Sequence, residues 1–262
     1  MDEAEQADPE APDAVDWQGE ALDCERCPAR AAETPPRCQL GHSCAQDRYA
    51  PRIWRFFRNH PEHAEAWFAH PYFETRAIAA HYASELVLAP LLSDPDETVR
   101  RVAAERVPTR LLRRLQQDPH REVRIRVAQR LPPAELIGLC SDPDYYVRLI
   151  VARRLPQAFL ARLSDDPDLQ VRKAVAQRLA PTALHLMSRD AEVEVRRLIA
   201  QRASGSLLSS LARDRAWEVR WEVAAVAPAA LARQLCQDTS AEVSAAARER
   251  LAQLSGDDEP PL

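Results

Sequence analysis

A repeat of 24 residues constrains this chain more than any other feature. An Asp recurs at this spacing seven times, Val stands five residues after each Asp, and Arg follows every Val except the last. The repeated acids are Asp94, Asp118, Asp142, Asp166, Asp190, Asp214 and Asp238. Because so short a unit cannot bury its own apolar face, the units must stack on one another, and we expect a repeat protein.

Each unit predicts an α-helix followed by a shorter helix. In the first four units Pro follows the Asp, which predicts an N-cap at the Asp and the first helical residue at the Pro. Val147, Val151 and Leu155 show the i, i+4, i+8 spacing of a buried stripe, and the next residue, a Pro, ends the helix. Paired Leu residues three apart in the rest of the unit indicate a 3₁₀ or single-turn helix. The predicted fold class is therefore all-α, a solenoid or superhelix of paired helices.

Composition divides the chain further. Residues 1–48 carry 12 acidic side chains against four Arg, and nine of the 15 aromatic residues lie between Tyr49 and Tyr82. We expect a mobile acidic N-terminus (1–20), a small metal-binding segment (21–48), an aromatic-rich helical cap (49–93), the repeats (94–254) and an acidic tail (255–262). His70-Pro71, with Arg76 in the Arg column, indicates a degenerate first repeat within the cap.

Four cysteines make the segment 21–48 a candidate metal site. Cys24, Cys27, Cys38 and Cys44 give the pattern C-x2-C-x10-C-x5-C. The N-terminus lacks a secretory signal, so we expect a reducing cytoplasm, where thiolates bind metals more readily than they form disulfides. Pro28 and Gly41 let the backbone bend around a metal. Tetrahedral sulfur fits zinc or an iron–sulfur cluster, and the spacing leaves both open; His42 is a further candidate ligand, although an ordinary loop histidine is the simpler interpretation.

This order of motifs resembles a known family. The four-cysteine pattern followed by Asp-Pro-x-x-x-Val-Arg repeats is similar to the leucine-rich repeat variant proteins of nitrogen-fixing bacteria, over nearly the whole chain. The resemblance implies a [4Fe–4S] cluster held by Cys24, Cys27, Cys38 and Cys44, with zinc as the alternative, and alternating α and 3₁₀ helices. It implies no activity.

Two further columns have structural explanations. Arg100 and Arg106 border the apolar face of their helix, and their equivalents recur in later repeats, so we expect the guanidinium groups to bind Asp or backbone carbonyls of neighbouring repeats. A basic track for phosphate or an acidic partner is the alternative. Cys140 and Cys236 lie four repeats apart, too far to form a disulfide, and are expected to fill space.

The sequence favours an interaction protein over an enzyme. It contains none of the common nucleotide-binding, hydrolase or metalloprotease motifs, and it contains no apolar run long enough to span a membrane. We expect a non-enzymatic scaffold that binds a protein partner on its repeat surface and carries a redox-sensing or electron-transferring cluster. The alternatives are an electron carrier whose repeats dock its partner, and a nucleic-acid binder with a structural zinc site.

Overall fold

The computed structural model describes residues 12–27, 29 and 38–256 and divides into two compact units, Met1–Leu131 and Pro132–Leu262. Both units are helical, and β pairing in the described residues is limited to isolated bridges of Val15 with Ala21 and of Gln39 with Ser43. The predicted all-α repeat fold is confirmed. Each helix in the described part of the chain is too short or too polar to cross a membrane.

The first unit is built from consecutive long helices joined by short ones. Its long helices pack side by side in chain order, α1 on α2, α2 on α3 and α3 on α5. Its α-helices are α1 (Ala50–Asn59), α2 (Phe73–Tyr82), α3 (Glu97–Arg106), α4 (Thr109–Leu112) and α5 (Arg121–Arg130), and its 3₁₀ helices are η1 (Pro61–Trp67), η2 (Glu85–Val87), η3 (Ala89–Ser93) and η4 (Arg113–Leu115).

The second unit repeats this arrangement. Helices α6, α7, α8, α10 and α12 pack in that order. Its α-helices are α6 (Tyr145–Arg154), α7 (Leu169–Arg178), α8 (Val193–Ala200), α9 (Gly205–Leu211), α10 (Trp217–Val226), α11 (Ala229–Leu235) and α12 (Ala241–Gly256), and its 3₁₀ helices are η5 (Pro133–Leu139), η6 (Gln157–Leu163) and η7 (Pro181–Met187).

The predicted apolar stripe forms the core. Val147 and Val151 on α6 and Leu155 just beyond it are fully buried, and the helix ends where Pro156 follows. Leu160 and Leu163 on η6 are buried beside them. Burial of each such side chain contributes about 1.5–3 kcal/mol, so the stripe stabilises the stacking of the helices.

The prediction for the shorter helices is confirmed in some repeats and wrong in others. η5, η6 and η7 are 3₁₀ helices, whereas residues 109–115 begin as α4 and end as η4, and α9 and α11 are α-helical. Leu residues three apart lie on one side of either kind of helix, so their spacing cannot distinguish them. In α11 the Ala-rich sequence also favours the α form.

The predicted N-cap at the repeated Asp is wrong. Helix α7 begins two residues after Pro167, and its N-cap is Asp168, whose carboxylate accepts hydrogen bonds from the backbone N–H groups of Gln170 and Val171. Asp166 instead accepts from the N–H of Asp168 and closes the turn before the helix. The same correction applies at Asp142, which accepts from the N–H of Asp144, the N-cap of α6.

The repeated Asp binds an Arg of the preceding repeat. Arg148 donates to both carboxylate oxygens of Asp166, at 2.7 and 2.9 Å, and also to the carbonyls of Asp142 and Pro143 at the start of its own repeat. This arrangement, called here the Arg–Asp clamp, ties one repeat to the next. Equivalent pairs are Arg76–Asp94 and Arg100–Asp118 in the first unit, and Arg172–Asp190, Arg196–Asp214 and Arg220–Asp238 in the second.

The second Arg column binds backbone carbonyls. Arg178 on α7 donates to the carbonyls of Ala152 and Leu155, which belong to the end of α6. Arg106 makes the equivalent bonds to Ala80 and Ala83 in the first unit. Both columns therefore connect neighbouring repeats, as the structural interpretation of the sequence predicted, and the carbonyls at a helix end gain partners that the helix itself cannot supply.

The aromatic region buries some of its rings and exposes others. Phe56 and Phe57 of α1 are buried in edge-to-face contact, with ring centroids 5.1 Å apart, and Trp67 of η1 packs against both. Trp54 is partly exposed and contacts Tyr82. The buried rings give the start of the helical array an apolar core.

The first described residues contact the start of the helical array. Within residues 12–20, expected to be mobile unless docked, the carbonyl of Pro12 accepts from Arg52, and that of Val15 accepts from the N–H of Arg48. These bonds link positions too distant in sequence for a local pattern to reveal. Helix α12 extends to Gly256, past the boundary expected at 254, and residues 1–11 and 257–262 lie outside the described chain.

Candidate metal centre

The first pair of cysteines lies in a turn organised by Asp23. The carboxylate of Asp23 accepts from the N–H groups of Glu25 and Arg26, each at 3.1 Å. This side-chain turn holds the backbone between Cys24 and Cys27 in a tight bend. Pro28, expected to assist the bend, lies outside the described residues.

The second pair flanks a compact turn. The N–H of Gln39 donates to the carbonyl of Ser43 and the N–H of Ser43 donates back to that of Gln39, at 2.9 and 2.7 Å. Gly41 within the turn has φ +75°, a left-handed conformation that favours glycine, which agrees with the bend predicted there. Cys38 precedes the turn and Cys44 follows it.

All four thiols line one cavity. Cys27 and Cys44 are buried, while Cys24 and Cys38 are half-buried. The wall is completed by Leu22, Asp23, Leu40, Ser43 and Gln46. The thiols surround this space without closing on a point: among the described residues, no three Cys, His, Asp or Glu side chains stand close enough together to hold a metal ion.

Burial disfavours an ionised thiol in this cavity. Desolvation is the main cause that raises the pKa of Cys44 to about 12, and the neighbouring Cys27 and Asp47 add to the increase. Thiolate sulfur, not the protonated thiol, binds metal. A bound cation would therefore have to displace the proton, as metal binding at thiol sites does.

Polar contacts fix this segment to the helices. Arg52 on α1 and Asp47 form a buried ion pair of 3.0 Å. The backbone carbonyl of Arg52 also accepts from the N–H of Cys44. Arg55, also on α1, donates to the carbonyl of His42. Thr75 on α2 donates to the carbonyl of Ala45. The loop of the second cysteine pair is thus attached to both helices at several points.

These anchors were not foreseen from the sequence. Arg52 and Asp47 are separated by five residues across the start of a helix, and no spacing rule marks such a pair. Buried Ser43 was missed as well, since a serine in a loop is normally exposed. In the sequence, only the closeness of Ser43 and Asp47 to Cys44 marks these two residues.

The donor set fits a thiolate-bound metal group. Four sulfur donors around one cavity are the ligands expected for zinc or for an iron–sulfur cluster. His42 is not among the residues that line the cavity, although its backbone carbonyl is engaged by Arg55. The four cysteines are therefore the candidate ligands, because they line one cavity.

The other candidate residues have structural roles. The Arg columns bind carboxylates and carbonyls within the protein, so the guanidinium groups that would form a basic track are already engaged. Cys140 and Cys236 are half-buried free cysteines. Burial is the main cause that raises the pKa of the Cys140 thiol, which makes it a weak nucleophile.

Family models match both parts of the chain. Residues 14–66 match the model described as "LRV protein FeS4 cluster", and residues 145–168 match the model described as "Leucine rich repeat variant". The first match contains all four cysteines of the cavity and helix α1. It assigns an iron–sulfur segment to this end of the chain.

Individual relatives agree with these models. A solved structure described as "a leucine-rich repeat variant with a novel repetitive protein structural motif" is 42% identical, covering 88% of this chain and 99% of that one, with a TM-score of 0.74. An uncharacterized 27.7 kDa protein in the nifB 3' region of Rhodobacter capsulatus is 49% identical over 92 residues, 35% of this chain. That alignment spans 38% of the relative's own length.

Proposed function

Because this chain belongs to the leucine-rich repeat variant family, we propose that it is a non-enzymatic scaffold whose repeats bind a protein partner and whose N-terminal segment holds a [4Fe–4S] cluster. The observation that carries the proposal is the single cavity lined by the four cysteines within the segment that matches the iron–sulfur model. The ligands would be Cys24, Cys27, Cys38 and Cys44. Such a cluster supplies reversible one-electron chemistry when bound.

The attachment of the cysteine loop supports a sensing role. Cys44 is linked through its N–H to α1, and Ala45 is linked through its carbonyl to α2. A change of charge or geometry at the cysteines would therefore act directly on the first helices of the array. Redox sensing by the scaffold needs such a mechanical link, whereas a structural metal does not.

Exposed aromatic side chains support a protein partner. In the second unit, Tyr145 at the start of α6 and Trp217 at the start of α10 are both more than two-fifths exposed. Aromatic residues are enriched in protein interfaces relative to other surfaces. The internal engagement of the Arg columns argues against a nucleic-acid track, whose affinity would depend on accessible cations.

Metal content tests the proposal first. Protein purified anaerobically should be brown, contain about four iron atoms per chain and an equal amount of acid-labile sulfide, and bleach in air. A colourless protein that contains one zinc ion would overturn the cluster. That result, together with DNA or RNA binding that weakens steeply with salt, would favour the nucleic-acid alternative.

Hydrogen exchange distinguishes a sensor from a simple electron carrier. A sensor should show different exchange protection of α1 and α2 in the oxidised and the dithionite-reduced protein, with α6 of the second unit as internal reference. Equal protection in both states would favour electron transfer as the main task. Leu40, which lines the cavity and is 60% exposed, places the site near the surface, as an electron carrier also requires.

A further inference from the structure

Ser43 is a buried polar residue whose hydroxyl has no partner in the described part of the chain. Only 3% of the residue is exposed, and neither a described side chain nor a described backbone group hydrogen-bonds to its Oγ. Burying a hydroxyl without a partner is costly, and native proteins rarely leave one unpaired without a reason. The Ser43 hydroxyl is therefore placed to form a hydrogen bond with a group bound in the cavity.

The backbone around Ser43 is already engaged in other hydrogen bonds, and none of them involves this hydroxyl. The N–H and carbonyl of Ser43 are both used in the paired bonds with Gln39 that close the turn. The N–H of the next residue, Cys44, donates to the backbone carbonyl of Arg52. These bonds hold Ser43 in place while leaving its side chain available to a group inside the cavity.

The cavity that Ser43 lines contains the four cysteine sulfurs. Its other walls include the aliphatic side chains of Leu22 and Leu40, which offer no acceptor, and the polar side chains of Asp23 and Gln46. The Asp23 carboxylate already accepts from two backbone N–H groups of its own turn, and in the described structure neither polar side chain bonds to the Ser43 hydroxyl. A hydroxyl can donate one hydrogen bond, and thiolate or sulfide sulfur carrying negative charge accepts it more strongly than a neutral thiol. The acceptor that fits this position is thus the sulfur of a metal-bound thiolate or of the cluster.

We propose that the Ser43 hydroxyl donates a hydrogen bond to a sulfur of the bound cluster and raises its reduction potential. This inference rests on the proposed iron–sulfur site. Reduction adds negative charge that spreads onto the sulfurs, so a donor aimed at them stabilises the reduced state more than the oxidised one. Ser43 is a positioning and tuning residue in this role, and the four cysteines remain the ligands.

Substitution of Ser43 tests the inference through the potential. Ser43→Ala should keep the iron and sulfide content of the wild type and shift the midpoint potential to a more negative value, while Ser43→Thr, which keeps a hydroxyl, should restore most of the difference. Ser164→Ala is the matched control, because it removes a buried hydroxyl in the second unit that donates to the carbonyl of Ala161. It should leave the potential unchanged.

The outcomes separate this inference from the proposed function. A fully loaded Ser43→Ala protein with the wild-type potential would overturn the role of Ser43 and leave the cluster intact. A wild type without iron and sulfide would overturn both. If Ser43→Ala retains no cluster, resonance Raman spectra of the wild type and of Ser43→Thr in H₂O and D₂O decide: deuteration should shift the Fe–S stretching bands of both, and unshifted bands would overturn the inference.

Discussion

The repeats and the four-cysteine segment, residues 21–48, obtain their structure in different ways. Every repeat buries aliphatic side chains at fixed positions, as Val147, Val151 and Leu155 show. In the described part of the four-cysteine segment, by contrast, Leu40 is exposed, and the buried residues are Cys27, Ser43, Cys44, Ala45 and Asp47. Burial of apolar side chains is therefore enough to stabilise the repeats, whereas the four-cysteine segment depends on its polar anchors and on the group that its thiols bind.

The largest expected effect separates the two regions directly. Cys38→Ser should abolish the brown chromophore and increase hydrogen exchange across residues 20–27 and 38–48, because the cluster would lose one of four ligands. The far-UV circular dichroism of the repeats should stay the same, since each repeat contacts only its neighbours. Cys140→Ser is the control and should keep the chromophore. Loss of the helical signal in Cys38→Ser would show that the regions are not independent.

An acid in the core should damage the repeats. Val147→Asp places a carboxylate in the fully buried stripe among apolar side chains, at a cost of about 4 kcal/mol. Thermal unfolding followed by circular dichroism measures the change. Val147→Ile, which stays apolar, should cost much less. An unchanged Tm for Val147→Asp would contradict the role of the stripe.

Breaking one Arg–Asp clamp should cost somewhat less. Asp166→Ala leaves the partly buried guanidinium of Arg148 without its carboxylate, and the loss is expected to be about 3 kcal/mol. Urea denaturation gives the free energy of unfolding. The exposed pair of Lys173 with Glu194 is the comparison, and Glu194→Gln should leave the free energy of unfolding unchanged. Equal effects of Asp166→Ala and Glu194→Gln would show that the clamp is not energetically special.

The clamps should also make stability depend on pH. The hydrogen bond from Arg220 holds the pKa of Asp238 below its usual value, and at Asp214 the bonds from Arg196 and from the N–H of Ala216 outweigh the opposite effect of burial. A lowered folded-state pKa stabilises the protein above the unfolded pKa of about 3.9, and the contribution is lost as the pH falls through the folded value. The Tm should therefore drop below this pH, and Asp238→Asn should reduce the slope. A Tm independent of pH in this range would contradict the prediction.

The smallest effect concerns the helix start. Asp168→Ala removes the N-cap of α7 and should cost about 1 kcal/mol, less than Asp166→Ala two residues earlier. Asp165→Ala, at an exposed neighbouring position, should have no measurable effect. Urea denaturation of the three variants gives the order of their losses in free energy of unfolding. A larger loss for Asp168→Ala than for Asp166→Ala would show that the repeated Asp contributes little to stability.

How far the sequence predicts this structure depends on how local the determining contact is. The stripe of Val147 and the stop at Pro156 follow from spacing and backbone sterics within one repeat, and both were predicted. Contact between the Arg column and an Asp of a neighbouring repeat was predicted as well, but the N-cap assigned to Asp166 was wrong, because Arg148, 18 residues earlier, holds the carboxylate away from the helix that it was expected to cap. The candidate site shows the same division: the cysteines are visible as a pattern, whereas the anchors of Arg52 and the unpaired hydroxyl of Ser43 depend on tertiary packing.

The Arg–Asp clamp also determines by how many residues the repeat array can lengthen or shorten. Arg148 binds the carbonyl of Asp142, six residues before it, and the carboxylate of Asp166, 18 residues after it. The two separations add up to one period of 24 residues. Inserting a single residue between the clamped groups would misplace a guanidinium fork whose geometry is rigid. Duplication or deletion of a complete unit leaves every clamp inside the array in step. The array can therefore gain or lose whole repeats without misplacing any Arg–Asp clamp within it.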